Sequence, residues 1–136
     1  MAIALLSVGL LGLLVFFLGA NVSRERGSVI KTQHEAEADP KSSLRKAIRA
    51  HGNCIEYVPM LSLLILAVGL RSPLLPTWIA ALMIAAVASR YIHAVGVLTG
   101  ESVYAGTPLK AIGAIGTYVT GIVLSGVLVW RAAALF

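Results

Sequence analysis

Residues 45–70, RKAIRAHGNCIEYVPMLSLLILAVGL, join a charged beginning to an apolar run that is long enough to cross a lipid bilayer. A helix needs about 20 mostly apolar residues to span about 30 Å of hydrocarbon. Three other blocks also meet this requirement, so four spans are predicted, at about 2–22, 46–70, 77–98 and 109–133. We therefore expect an all-α, integral membrane four-helix bundle, with residues 1–136 forming a single domain.

The composition supports a membrane protein and argues against a nucleic-acid partner. Hydrophobic residues make up 58% of the chain and charged residues only 12%, whereas soluble domains carry about 25% charged residues. The net charge is +5, but the basic residues are spread over loops and helix ends, without the basic and aromatic stripe of a nucleic-acid surface. We predict contact with membrane lipid, no nucleic-acid partner and no metal site.

The charges between the spans predict how the chain is oriented. Short loops rich in lysine and arginine remain in the cytoplasm. The polar segment 23–45 is the richest in cations, while the turn after the second span and the carboxyl end carry one each, Arg71 and Arg131. The segment 23–45 is therefore predicted to be a cytoplasmic loop, which places both termini on the outer side of the membrane.

The charged beginning of the second span forms one face of a helix. At about 100° per residue, Asn53 lies about 40° to one side of Arg49, and Glu56 and Arg45 lie about 20° and 40° to the other. These four residues share a stripe about 80° wide. Charged groups inside a membrane face other helices or a water-filled cavity rather than lipid. We define these four residues as the polar stripe.

The third span carries a second polar cluster at a similar depth. Arg90 and His93 are three residues apart and share one side of that helix. Since the second span leaves the cytoplasmic side and the third returns to it, both clusters are predicted to face one another in the cytoplasmic half of the bundle. His51 and Cys54 lie off the stripe. His51 is expected to cap a helix or to pack near the membrane interface, and Cys54 to be a small packing residue.

Two explanations of these polar residues remain open. Glu56 could pair with Arg90 or Arg49 only to hold the bundle together. Alternatively, the arginines could bind carboxylates, with Glu56 accepting from an ammonium group and Asn53 able both to donate and to accept. Glutathione, a small peptide with two carboxylates, one amine and a thiol, matches that set. A nearby cation would favour its reactive thiolate.

The quoted residues also resemble a known family. RAHGNCIEYVP, residues 49–59, is similar to the signature R-x-H-x-N-x-x-E-x-x-P of the MAPEG family, the membrane-associated proteins in eicosanoid and glutathione metabolism. SRYIHAVG, residues 89–96, resembles the R-x-x-H element of its third helix. The chain is most similar to the small bacterial inner-membrane members. The resemblance implies a homotrimer that binds glutathione between subunits, near the cytoplasmic side.

The resemblance also implies roles for individual residues. It predicts a glutathione site that includes Arg45, Arg49, Asn53, Glu56, Arg90 and His93. The eicosanoid-forming members have a tyrosine where this chain has Val97, and a thiolate-stabilising arginine at the start of the fourth span, where this chain has Lys110. Arg90 and Lys110 are therefore the predicted catalytic cations.

Three functions follow as hypotheses. The first is a glutathione S-transferase or peroxidase that acts on lipophilic electrophiles arriving from the membrane. The second is a non-catalytic binding or scaffold protein with the same fold, which Val97 and the missing arginine favour. The third is a small proton-coupled exporter that uses Glu56 as a proton carrier, since membrane carboxylates often relay protons.

Overall fold

The computed structural model describes residues 1–70 and 75–135 and is helical in almost all of them. One short 3₁₀ turn, Ile30–Thr32, lies between the first two helices. The α-helices are α1 Ala2–Ser28, α2 Gln33–Ala38, α3 Ser43–Leu70, α4 Thr77–Thr99 and α5 Pro108–Ala133.

Four of these helices, α1, α3, α4 and α5, are long and apolar enough to cross a membrane. The predicted all-α membrane bundle is therefore confirmed. Side chains cap the first turns of α3 and α5, because a side-chain oxygen can satisfy a free N–H group there. Thr107 accepts a hydrogen bond from the Lys110 amide at 3.2 Å, and Ser42 accepts one from the Arg45 amide at 3.0 Å.

The polar segment 23–45 differs from the predicted loop, because much of it is helical. Helix α1 continues to Ser28, beyond the end of its apolar run, and α2 follows after the 3₁₀ turn. An ion pair between Arg26 and Glu37, at 3.8 Å, joins the two helices. Hydropathy marks where a helix leaves the hydrocarbon, and a polar helix can continue in water beyond that point. Arg71, used to predict the orientation, lies outside the described residues.

Small residues allow the helices to approach closely. Helix α1 packs along α3, and α5 packs along α4. A Cβ atom added to Gly113 would lie 2.5 Å from the backbone nitrogen of His93, and one added to Gly69 would lie 2.5 Å from the Ala4 Cβ. Close approach through small residues is a common way to pack membrane helices. The glycines at the start of α5 therefore pack against α4 of the same chain.

Hydrogen bonds between helices also hold the bundle together inside the apolar region. The Tyr91 hydroxyl on α4 donates to the Leu10 carbonyl of α1 at 2.9 Å. Near the opposite end from the polar cluster, Arg131 of α5 donates to the Val68 carbonyl of α3 at 3.0 Å. These contacts fix α1, α3, α4 and α5 as one unit, with α3, α4 and α5 meeting around Arg90.

Candidate functional site

Arg90 on α4 is the central residue of the site. It is only 2% exposed and is the largest of the fully buried side chains. One guanidinium nitrogen, Nη2, donates to the Asn53 carbonyl of α3 at 2.9 Å, while Nε is buried and has no hydrogen-bond partner among the described residues. Within that part of the chain, the ion pairs are Arg24–Glu25 and Arg26–Glu37. Arg90 is thus a buried cation without a carboxylate partner there.

His93 lies on the same side of α4, as its spacing from Arg90 predicts. Its Nδ1 donates to the Lys110 carbonyl at 3.1 Å. A neutral imidazole that donates from Nδ1 has an acceptor at Nε2. Asn53, Arg90 and His93 line one small cleft between α3, α4 and α5. The structure therefore brings together three of the residues predicted to bind the ligand.

Two tyrosines complete this cleft. The Tyr57 hydroxyl on α3 and the Tyr118 hydroxyl on α5 are 3.2 Å apart, within hydrogen-bond distance. Their rings meet edge to face, with centroids 5.7 Å apart. The Arg90 guanidinium carbon lies 5.3 Å from the centroid of the Tyr57 ring, within the range of a cation–π interaction. We call Tyr57 and Tyr118 the tyrosine pair.

The outer part of the polar stripe lies on the surface of the single chain. Arg49 and Glu56 are exposed, and Arg45 is half-buried. Among the described residues, none of these three side chains takes part in an ion pair. An ion pair of Glu56 with Arg90 or Arg49, which would only hold the bundle together, is therefore absent among the described residues. These groups remain available to a ligand or to another subunit.

Lys110 lies apart from the cleft. Its ammonium group donates to the carbonyls of Ser102, Val103 and Ala105, at 3.0, 3.3 and 2.7 Å. An ammonium group has three donors, and here all of them bind the loop between α4 and α5. Only the Lys110 backbone, through its carbonyl, reaches His93. This geometry gives no support to the prediction that Lys110 is a catalytic cation.

The residues expected to lie off the stripe are packed against helices. The His51 ring lies against α1, where a Cβ atom on Gly19 would be 3.3 Å from its Cε1. Cys54 is fully buried in the apolar core, and Val97 is 2% exposed. Cys54 and Val97 thus pack inside the bundle, as expected for Cys54, while His51 is half-buried against α1.

A wide apolar groove of about 520 Å³ runs between α3 and α5, beside the cleft. Tyr57, Thr117 and Tyr118 line both the groove and the cleft. The remaining lining residues are Glu56, Met60, Leu61, Leu64, Gly121, Ile122 and Ser125. The groove lies along α3 and α5, so it connects the polar cluster with an apolar surface of the single chain.

Sequence reasoning did not find Tyr118. Helix α5 shows no polar stripe, and its sequence, AIGAIGTYVTGIVLSGVLVW, indicates only a glycine-rich packing surface. A tyrosine one position after Glu56 and a second tyrosine in the middle of α5 were the available signals. Their pairing depends on the rotation of α5 relative to α3, which the sequence pattern does not define.

Comparison with known proteins identifies a family across nearly the whole chain. The model of the MAPEG family matches residues 4–130. No curated protein and no solved structure matches the chain. The match covers all four membrane-spanning helices almost completely, including α3, α4 and α5 around Arg90.

Proposed function

The chain belongs to the MAPEG family, and we propose that it is a membrane glutathione S-transferase or peroxidase acting on lipophilic electrophiles. Glutathione would be the co-substrate and would supply the nucleophilic thiol. The chain's own residues would bind its charged groups, stabilise the thiolate and admit an apolar partner from the membrane.

Buried Arg90 is the observation that carries this proposal. A charge near the middle of a membrane helix costs at least about 2.5–3.5 kcal/mol, and this one has no carboxylate partner among the described residues. A bound anion would provide the missing counter-charge, and the free Nε donor would provide a directed hydrogen bond. Arg90 is therefore the residue we propose to hold the thiolate.

The other predicted ligand-binding residues fit the remaining groups of glutathione. Arg45 and Arg49 offer guanidinium groups for its carboxylates, and Glu56 offers a carboxylate for its ammonium group. Asn53 donates from its amide nitrogen to the Arg49 carbonyl at 3.3 Å, which leaves its amide oxygen as an acceptor. His93, with Nε2 as an acceptor, can hold or accept a proton beside Arg90.

We propose that the site is completed by neighbouring subunits in a homotrimer. Arg49 and Glu56 lie on the surface of the single chain, although exposed charges on a membrane helix are unfavourable against lipid. A second copy of the chain on this face would shield them and enclose the ligand. We further propose an inner-membrane location, both termini outside and the site toward the cytoplasm, since the cation-rich segment 23–45 lies at that end.

Glutathione binding to purified protein in lipid nanodiscs tests the proposal. Calorimetry should give binding with a defined stoichiometry, either one per chain or one per three chains. Arg90→Gln should weaken that binding at least about thirtyfold, because the loss of one partner from a buried charge pair costs about 2–5 kcal/mol. Conjugation of glutathione to a generic aryl halide should fall in parallel.

Arg24→Gln is the matched control, because Arg24 is an exposed cation at the end of α1. It should bind glutathione as the wild type does. A wild-type protein that binds no glutathione would contradict the proposal, and so would an Arg90→Gln variant that is folded and binds normally.

A binding protein without turnover is the second candidate. The position of the Lys110 ammonium favours it, since all three donors are engaged in the loop. Stoichiometric glutathione binding, with no conjugation or peroxide reduction across varied electrophiles, would support this candidate over the first.

A further inference from the structure

A small polar pocket lies between α1, α3 and α4, apart from the cleft at Arg90. Its volume is about 240 Å³. Around α3, Ser43 in this pocket lies about 140° from Glu56, so the pocket is not on the face assigned above to a second subunit. We call it the junction pocket. Its lining residues are Asn21, Arg24, Glu25, Ser43, Lys46 and Leu98.

The junction pocket lies where the spans leave the hydrocarbon. The apolar run of α1 ends at about residue 22, and Asn21 and Glu25 lie on either side of that point. One turn further into the membrane, Phe17 on α1 and Val95 on α4 are 69% and 48% exposed. They continue the helix faces that carry Asn21 and Leu98, because residues three or four apart share a face. Polar groups therefore lie next to exposed apolar side chains, as the head and tails of a phospholipid require.

The acceptors of the junction pocket are held side by side. Glu25 accepts hydrogen bonds from the Arg24 guanidinium at 2.9 Å and from the Ser43 hydroxyl at 2.6 Å, and its side chain is only 16% exposed. The same guanidinium nitrogen donates to the Asn21 amide oxygen at 3.0 Å. A carboxylate has about four lone-pair sites and an amide oxygen has two. Glu25 and Asn21 therefore both keep sites for a further donor.

The pocket also offers a cation. Among the described residues, the Lys46 ammonium donates only to the Gly100 carbonyl, at 3.3 Å. An ammonium group has three donors, so two of them remain for a ligand. No carboxylate in the described part of the chain forms an ion pair with Lys46. The pocket thus presents a cation with free donors beside a carboxylate with free acceptor sites.

This combination of groups distinguishes between phospholipid head groups. All of them carry a phosphate that Lys46 can bind. Phosphatidylcholine adds a trimethylated ammonium group, which has no N–H to donate to Glu25. Phosphatidylglycerol offers only neutral hydroxyls, whose hydrogen bonds to a carboxylate are weaker than those from a charged donor. Phosphatidylethanolamine carries a primary ammonium group with three donors, so it satisfies the cation and the carboxylate together.

We propose that the junction pocket binds the head group of phosphatidylethanolamine from the surrounding bilayer. Lys46 binds the phosphate, Glu25 and Asn21 accept hydrogen bonds from the ammonium group, and the acyl chains lie along Phe17 and Val95. This inference does not rest on the proposed function, because none of these residues is assigned to the glutathione site.

Lipid titration followed by native mass spectrometry tests the proposal, because each bound lipid adds its own mass to the intact protein. Delipidated full-length protein in detergent is titrated, without glutathione, with the dioleoyl forms of phosphatidylethanolamine, phosphatidylcholine and phosphatidylglycerol. The tightest site should bind the ethanolamine lipid about tenfold or more tightly than the choline lipid, which is the effect of one lost hydrogen bond to a charged group. The glycerol lipid should also bind more weakly than the ethanolamine lipid.

Two substitutions assign this preference to the junction pocket. Glu25→Gln removes the charge that attracts the ammonium group and should bring the affinities for the ethanolamine and choline lipids within about twofold of each other. Lys46→Gln should weaken the binding of both lipids by a similar factor, about threefold or more, because both carry the same phosphate. Glu35→Gln and Lys31→Gln, at exposed residues outside the spans, are the matched controls and should keep the wild-type preference.

The wild type alone can overturn the inference. Equal affinities for the ethanolamine and choline lipids would do so, and so would tighter binding of the glycerol lipid, since the pocket would then be a site for anions only. In variants whose helix content by circular dichroism matches the wild type, a preference that survives Glu25→Gln, or unchanged binding in Lys46→Gln, would place the lipid elsewhere and overturn it. A preference that both substitutions change as expected supports the inference, even if the protein binds no glutathione and only the proposed function fails.

Discussion

Helix α5 meets its two neighbours in opposite ways. Toward α4, Gly113 and Gly116 leave so little space that an added Cβ atom would collide with His93 or Ser89. Toward α3, an added Cβ atom on Gly121 would lie 3.6 Å from the nearest Leu61 atom, an ordinary contact, and the groove of about 520 Å³ opens beside it. One face of α5 is thus closely packed and the other leaves room for a ligand.

The difference between these faces explains how the site can be rigid and accessible together. The packed face sets the distance between α4 and α5, and therefore the position of His93 against the Lys110 carbonyl, at 3.1 Å. The open face contributes Tyr118 and the apolar groove. Substitutions on the packed face should therefore affect stability first, while those on the open face should affect ligand choice.

Gly113→Ala should have the largest effect on stability. The new methyl group would lie 2.5–2.6 Å from backbone and Cβ atoms of His93, which cannot move without shifting α4. We expect the free energy of unfolding in mixed micelles to fall by about 3 kcal/mol, the upper part of the range for overpacked cores. Gly126→Ala is the matched control, since no atom lies within 4 Å of its added Cβ.

Equal stability of the two glycine variants would contradict the close packing of α5 against α4 at Gly113. Alanine alone favours a helix by about 0.5–1 kcal/mol over glycine, so Gly126→Ala should be neutral or slightly stabilising. The difference between Gly113→Ala and Gly126→Ala thus isolates the contact with α4 from the change in helix propensity.

Lys110→Met should have an intermediate effect on stability. It would leave the three carbonyls that bind its ammonium group without that donor, and we expect a loss of about 2 kcal/mol in unfolding free energy. Glutathione binding should remain within about threefold, which is about 0.7 kcal/mol. Lys31→Met, at an exposed lysine outside the spans, is the control and should leave both quantities unchanged.

A loss of turnover alone in Lys110→Met would support the catalytic role that the sequence predicts for Lys110. A Lys110→Met variant with wild-type stability and normal glutathione binding, but with turnover lost, would place the ammonium group at the thiolate during the reaction. The present hydrogen bonds to Ser102, Val103 and Ala105 would then have to break when the substrate binds.

The positions of Arg90 and Lys110 show what the sequence could predict. Span length and the shared depth of α3 and α4 were enough to bring Arg90 close to Asn53, because a membrane helix has a known rise and direction. Lys110 lies in the first turn of α5, where its long side chain can reach either the site or the loop. Residue spacing does not choose between these directions, since the choice depends on the loop conformation.

Tyr118 and the end of α1 show further limits. The pairing of Tyr118 with Tyr57 depends on how far α5 is rotated about its axis, and the close contacts of Gly113 and Gly116 with α4 set that rotation. Similarly, the apolar run of α1 stops before its helix does. Apolar residues are needed only where the helix lies in the hydrocarbon, whereas backbone hydrogen bonds can continue the helix into water.

Gly121→Ala should have the smallest effect on stability and a selective effect on ligands. Its added methyl group makes only ordinary contact with Leu61, so the free energy of unfolding should stay the same or rise by up to about 1 kcal/mol, the gain in helix propensity from glycine to alanine. The same methyl group enters the lining of the groove, which would hold the end of a long apolar chain. Displacing one methylene from that groove costs about 0.8 kcal/mol, or about fourfold in kcat/KM.

A homologous series of primary alkyl iodides, lipophilic electrophiles of four to twelve carbons, measures this effect. In Gly121→Ala, kcat/KM should be unchanged for the shortest members and should fall about fourfold only for chains long enough to reach Gly121. Gly126→Ala again serves as the control, since its Cβ would meet no neighbouring atom. A uniform fall across the series would mean that Gly121 acts through the packing of the whole site. No fall at any length would show that the apolar tail lies elsewhere, most simply along the face that a second subunit would cover.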